Sequence, residues 1–175
     1  MQGNKLVDSE GKPLRFTVLN YHNPGIYRIL APWFRNLKRL GIEADYREVD
    51  PAAYKQKLDH FEYDVVLFVL PMRDYPGPEL KDYFLSDSAN ISGSRNLAGI
   101  SDPIVDHLVN TALSAATEND YTQALQALDR RLRYQHYGVL NYHIRHHRIA
   151  WWDKFARPPE PIPFGLGLDT WWMKE

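Results

Sequence analysis

Cysteine is absent from the 175 residues, which excludes disulfides, thiol nucleophiles and cysteine-held zinc or iron–sulfur centres. A dominant charge is absent as well: 21 Lys and Arg stand against 22 Asp and Glu, for a formal net charge of −1. Without a field of one sign, nucleic acid is not expected as a partner. No apolar run approaches the roughly 20 residues that a membrane-spanning helix requires. The opening Met1-Gln2-Gly3-Asn4-Lys5 has none of the basic-then-apolar character of a secretion signal. If the protein is exported, its signal is expected outside this chain, which would then be a fragment. Nucleophile elbows, phosphate loops, dinucleotide fingerprints and HExxH are all missing. Gly165-Leu166-Gly167 is a two-glycine turn with no helix pattern after it. No catalytic residue, metal or cofactor is therefore expected.

Hydrophobic residues make up 44% of the chain and charged residues 25%, which suits one compact domain rather than a disordered segment. The first half alternates two signals. Leu14–Leu19 is a run of strand formers after Gly11-Lys12-Pro13. Asn23-Pro24 then supplies a cap and a first-turn proline. Ile26, Ile29, Leu30, Trp33, Phe34, Leu37 and Leu40 recur at helical spacing up to Gly41, with Pro32 expected to kink or restart the helix. A second strand is predicted over Glu43–Val49 and a short helix with Tyr54 and Leu58 after Asp50-Pro51. The nearly all-apolar Asp64–Leu70 predicts a parallel strand covered on both faces. This β-α-β-α-β order predicts an α/β fold with a mainly parallel, helix-covered sheet.

Residues 71–100 read as a long loop with one short helix near Glu79–Phe84; loops of this length in compact domains are usually functional or disordered. Helices are predicted from Ser101-Asp102-Pro103 and over Glu118–Tyr137. Strands are predicted over Val139–Ile144 and Arg148–Trp152, before a Pro/Gly-rich tail ending at Trp171-Trp172.

In an open parallel sheet, ligands bind beyond the carboxyl ends of the strands. Two loops lead there: Asn20-Tyr21-His22-Asn23 and Met72-Arg73-Asp74-Tyr75. Together they offer aromatic surface, a carboxylate, an arginine and amides, a mix suited to holding a peptide. Asp74 could pair with a ligand's ammonium group; the plainer reading is that Asp74 and Asn23 cap turns.

Several stretches carry a resemblance. Pro32-Trp33-Phe34-Arg35-Asn36-Leu37-Lys38-Arg39-Leu40-Gly41-Ile42 is followed by Val49-Asp50-Pro51-Ala52-Ala53-Tyr54. Gly93-Ser94-Arg95-Asn96-Leu97-Ala98-Gly99-Ile100 leads into Asp102-Pro103-Ile104-Val105-Asp106. Ala127–Arg133 is followed by His147–Phe155 and Trp171-Trp172. In this order they resemble the extracellular solute-binding proteins of the oligopeptide/dipeptide class (family 5), closest to the microcin C and YejA-like branch. The resemblance implies a type II periplasmic binding protein-like lobe. It implies an N-terminal segment over 1–13, the C-terminal lobe over 14–150, and a segment over 151–175 crossing back toward a missing first lobe. It further implies a periplasmic component of an ABC importer, with a peptide or peptide-like ligand and permease subunits as partners. Asp74-Tyr75-Pro76 resembles the loop that holds a peptide's amino terminus in oligopeptide binders, and Ser94-Arg95-Asn96 matches the branch's own motif. The ligand-binding candidates are thus Tyr21, His22, Asn23, Arg73, Asp74, Tyr75, Ser94, Arg95 and Asn96.

Other clusters have plainer readings. His143, His146 and His147 cannot converge on one strand face, and Asp129 and Arg133 pair at i,i+4 on a solvated helix. Trp151, Trp152, Trp171 and Trp172 belong to a core in an intact domain, whereas without the first lobe some should be exposed and drive self-association. A small hydrolase or transferase using Asp74 and His22 is the alternative function. A receiver-like signalling domain ranks last, because Asn20-Tyr21-His22 supplies no acidic cluster at the first strand's end.

Overall fold

The computed structural model describes residues 5–73, 75–141, 148–160 and 165–174. It divides into two compact units, Met1–Gly138 and Val139–Glu175, ahead of the boundary expected at 150.

The first unit is built on three parallel strands in the order β2-β1-β3: β1 Arg15–Tyr21, β2 Glu43–Val49 and β3 Val65–Val66. Helix α1 (Pro24–Arg39) joins β1 to β2, and α2 (Pro51–Asp59) joins β2 to β3. The expected caps form. The Asn23 side chain accepts from the Gly25 amide at 3.1 Å, and Asp50 accepts from Ala52 and Ala53. Gly41, at φ 78°, lets α1 end tightly, with the Ile42 amide turning back to the Leu37 carbonyl at 3.0 Å. Pro32 does not interrupt α1. It sits on the exposed face with Arg28, where the carbonyl left without a partner meets water.

Alternation along β1 assigns its two faces. Phe16 packs on Trp33 of α1 at 6.1 Å between ring centroids, and the Asn20 amide donates to the Tyr46 hydroxyl beneath α1. Tyr21 meets Tyr54 of α2 on the other face. The inward side of α1 is Ile26, Leu30, Trp33, Phe34 and Leu37, while Ile29 and Leu40, expected on that stripe, are exposed.

The expected long third strand is shortened to Val65–Val66. The Leu67 carbonyl accepts from the Tyr54 hydroxyl at 3.0 Å instead of continuing the ladder. Among the described residues no strand pairs with the outer edge of β3, so nothing holds the following residues extended and covered. Phe68, Val69 and Leu70 are 47%, 84% and 42% exposed, contrary to the two-faced burial predicted from their sequence.

The rest of the first unit is helical: α3 Glu79–Phe84, α4 Pro103–Leu113 and α5 Glu118–Tyr134. Leu80, Ile100, Val105, Val109 and Leu128 form their common core. Asp102 caps α4 at the Ile104 amide (2.9 Å) and binds Arg131 of α5 at 2.8 Å through Nε and 2.7 Å through Nη2. Burial pushes the Asp102 carboxyl up, but the Ile104 and Val105 amides and Arg131 outweigh it and leave the group below its ordinary value.

In the second unit, among the described residues, β4 (Phe155–Ala156) and β5 (Trp172–Met173) pair, antiparallel. The strands expected over Val139–Ile144 and Arg148–Trp152 are not seen in their described parts, 139–141 and 148–152. Strand formers need an open neighbouring edge to become a ladder, and among the described residues none pairs with them. Residues 142–147, with His143, His146 and His147, lie outside the described residues.

Candidate functional site

The carboxyl edge of the sheet is where β1 and β2 stop together, Tyr21 paired with Val49. The chain turns there with the His22 amide donating to the Val49 carbonyl at 3.1 Å. The His22 ring lies 3.1 Å from Glu48, and this hydrogen bond, with others from the Tyr46 hydroxyl and the Asn23 amide, holds the Glu48 carboxyl below its ordinary value. Asn23 spends its side-chain oxygen on the α1 cap, as the plainer reading had it.

Tyr21, 43% exposed, meets the edge of the Tyr54 ring at 5.4 Å. Burial raises the Tyr54 phenol above its ordinary range, so it stays a neutral donor to Leu67. From Leu67 the exposed residues Phe68, Val69 and Leu70 continue the edge, and Phe68 leans on Tyr83 of α3 at 6.4 Å. The result is an open aromatic and aliphatic rim, flanked on one side by the His22–Glu48 pair. Tyr54, Phe68, Val69 and Leu70 were not among the predicted contact residues. The signal for Phe68, Val69 and Leu70 was the apolar run Asp64–Leu70, which sequence assigned to the interior, while Tyr54 was expected only as part of a short helix.

The remaining described candidates make other contacts. Arg73 is exposed and its charge helps keep Glu79 ionised, behind the larger effect of the Glu79 and Gly77 amides. Asp74 lies outside the described residues. Tyr75 lines an open groove of ≈ 730 Å³ with Pro76, Glu118 and Tyr121, away from β1; the Tyr121 hydroxyl donates to the Pro76 carbonyl at 2.6 Å.

The residues around the Ser94–Asn96 loop are tied to the end of α2 and to the segment before β3. The Gly93 amide and Ser92 hydroxyl both donate to the Asp59 carbonyl at the end of α2, and the Tyr63 hydroxyl, just before β3, donates to the Leu97 carbonyl at 2.8 Å. Burial pushes the Tyr63 phenol up to about 12. Ser94 accepts from the Asn96 amide, and Arg95 lies over the Tyr83 ring and donates to its hydroxyl at 3.1 Å. Asn96 is 0% exposed. Its amide nitrogen donates to the Leu85 and Ile100 carbonyls, and its oxygen accepts from the Ile100 amide. Every polar atom of its side chain is used within the loop, so in this structure Asn96 offers no surface to a ligand.

Among the described residues no group of three or more His, Asp or Glu side chains could hold a metal ion, and no helix is long and apolar enough to cross a membrane. The rim presents ring faces and aliphatic side chains to solvent.

No family model matches the chain. It is 41% identical to the uncharacterized protein y4wM of Sinorhizobium fredii, across 99% of this chain and 26% of that protein. It is 33% identical to the probable peptide-binding protein YejA of Agrobacterium fabrum, across 98% of this chain and 28% of that one. Among solved structures, the oligopeptide-binding protein AppA of Bacillus subtilis, in complex with a nonapeptide, matches 78% of this chain and 27% of its own at a TM-score of 0.67 and 18% identity. The chain thus spans about a quarter of the length of the curated relatives it matches, and its fold is that of a lobe of the type II periplasmic binding proteins.

Proposed function

We propose that this chain is part of a solute-binding protein of the oligopeptide class and forms one lobe of a periplasmic receptor that closes on a peptide or peptide-like ligand for an ABC importer. The observation that carries this reading is the rim at the carboxyl edge, where Tyr21, Phe68, Val69 and Leu70 remain in water although the sequence is apolar there. Apolar surface gathered where an α/β sheet binds its ligands fits a cleft wall awaiting its second half. The backbone beyond Val66, free of the β1 ladder, gives an extended peptide main-chain partners. Binding with hinge closure against a first lobe, without covalent chemistry, is the mechanism. Permease subunits and a signal peptide carried elsewhere in the polypeptide complete the proposal.

The names of the relatives support a binding protein over the alternative hydrolase or transferase. His22 is engaged by Glu48, and its proposed catalytic partner, Asp74, lies outside the described residues.

Native mass spectrometry of the protein at its natural length tests the reading. A co-purifying peptide mass is expected, and Val69→Asp, which places a charge on the rim, should weaken its retention on the order of tenfold. Unchanged retention in Val69→Asp would remove the rim from the binding surface.

The second unit carries a further expectation. Trp152 is 78% exposed and Trp172, in β5, is exposed as well, while Trp151 packs edge-on against Trp171 at 5.3 Å. In the 175-residue piece this surface should drive self-association. Light scattering should show a mass that rises with concentration, and Trp152→Ser with Trp172→Ser should hold the piece monomeric. A wild-type piece that stays monomeric throughout would refute this.

A further inference from the structure

Helix α1 has no acidic residue in its 16 positions, yet it carries Arg28, Arg35, Lys38 and Arg39, all exposed. At 100° per residue, Arg28, Arg35 and Arg39 fall within a narrow stripe opposite the face that Leu30, Trp33 and Leu37 bury. The stripe is about 16 Å long at 1.5 Å per residue. Elsewhere among the described residues some cations are paired, as Arg15 with Asp45, Lys57 with Glu62, Arg131 with Asp102, Arg133 with Asp129 and Lys174 with Asp153, and others, Lys12, Lys81 and Arg130 among them, are not. Among the described residues none of the four α1 cations has an acidic partner.

Helix stability does not account for this arrangement. Lys38 and Arg39 suit the negative end of the helix dipole, but Arg28 stands near the positive end, where an acid would be favoured. Arg35 and Arg39, four apart, repel each other. The stripe also has apolar shoulders: Tyr27 and Ile29 flank Arg28, and Leu40 follows Arg39, all exposed. Arginine and tyrosine are favoured in protein–protein contacts and lysine is disfavoured. Three forked guanidinium groups in a row match carboxylates two bonds at a time.

We propose that the outer face of α1 docks a protein surface rich in carboxylates. This surface is distinct from the sheet rim and stands independently of the ligand bound there.

The test uses the protein at its natural length and poly-L-glutamate as a probe, with poly-L-glutamine and phosphatidylglycerol vesicles as comparisons. Arg28→Glu, Arg35→Glu and Arg39→Glu together should weaken poly-glutamate binding by about tenfold or more. A control with the same charge change on exposed residues elsewhere, Lys12→Glu, Lys81→Glu and Arg130→Glu, should change it less than about twofold. Circular dichroism establishes that both variants are folded. Equal losses in the two variants would assign the effect to net charge and overturn the proposal. Binding to the vesicles that exceeds binding to poly-glutamate and needs the same three arginines would assign the stripe to a lipid surface and likewise overturn it.

Discussion

In titration calorimetry the 175-residue piece alone should bind peptide about a thousandfold more weakly than the protein at its natural length. Ligand clefts enclose roughly 70–90% of what they bind, whereas the rim of Tyr21, Phe68, Val69 and Leu70 is a single wall, exposed to water. Losing the opposite wall removes about half of the contacts. A micromolar site corresponds to about −8 kcal/mol, and half of that leaves a millimolar one. Hinge closure, which excludes water from the site, is lost at the same time. Equal affinity in the piece and the protein would show that one lobe suffices and would refute the divided site.

The same rim explains why sequence misjudged β3. Asp64–Leu70 has the continuous apolar character of a strand buried on both faces, and periodicity cannot distinguish residues buried by their own domain from residues held for another partner. What separated them was the hydroxyl of Tyr54, which takes the Leu67 carbonyl out of the ladder, and the lack of a further strand along β3 among the described residues. Both are tertiary facts with no local signature.

Where the physics is local, the sequence was legible. Asn23-Pro24, Asp50-Pro51 and Asp102-Pro103 each place a capping oxygen before a proline that has no amide to satisfy, and each begins a helix where expected. Glu43–Val49 and Glu79–Phe84 were bounded by turn residues and appear with those limits. The candidate site was less legible, because its residues come from separate loops. Tyr21 and His22 reach the rim simply by ending β1, whereas Tyr75 goes to α5, and the Ser94–Asn96 loop is tied to the end of α2 while Arg95 reaches Tyr83. A motif quoted in one line of sequence says nothing about which end of a helix its loop is tied to.

Asn96 turns that difference into a measurement. If its side chain serves the loop, Asn96→Ala should cost about 3 kcal/mol of stability in urea unfolding. The substitution leaves the Ile100 amide and the Leu85 and Ile100 carbonyls without their partner in a site closed to solvent. Each unmet buried group costs about 1–3 kcal/mol, reduced where water can enter. Ile100 is itself part of the core with Leu80, Val105, Val109 and Leu128, so loosening its backbone should disturb the packing of α3 against α4. Asn96→Asp should cost at least as much, since it keeps the acceptor for the Ile100 amide but sets a buried carboxylate against the Leu85 and Ile100 carbonyls. A ligand contact would behave in the opposite way: the midpoint in urea would stay fixed and peptide affinity alone would fall. Such a result would return Asn96 to the binding surface and require the loop from Gly93 to Ile100 to open when ligand arrives.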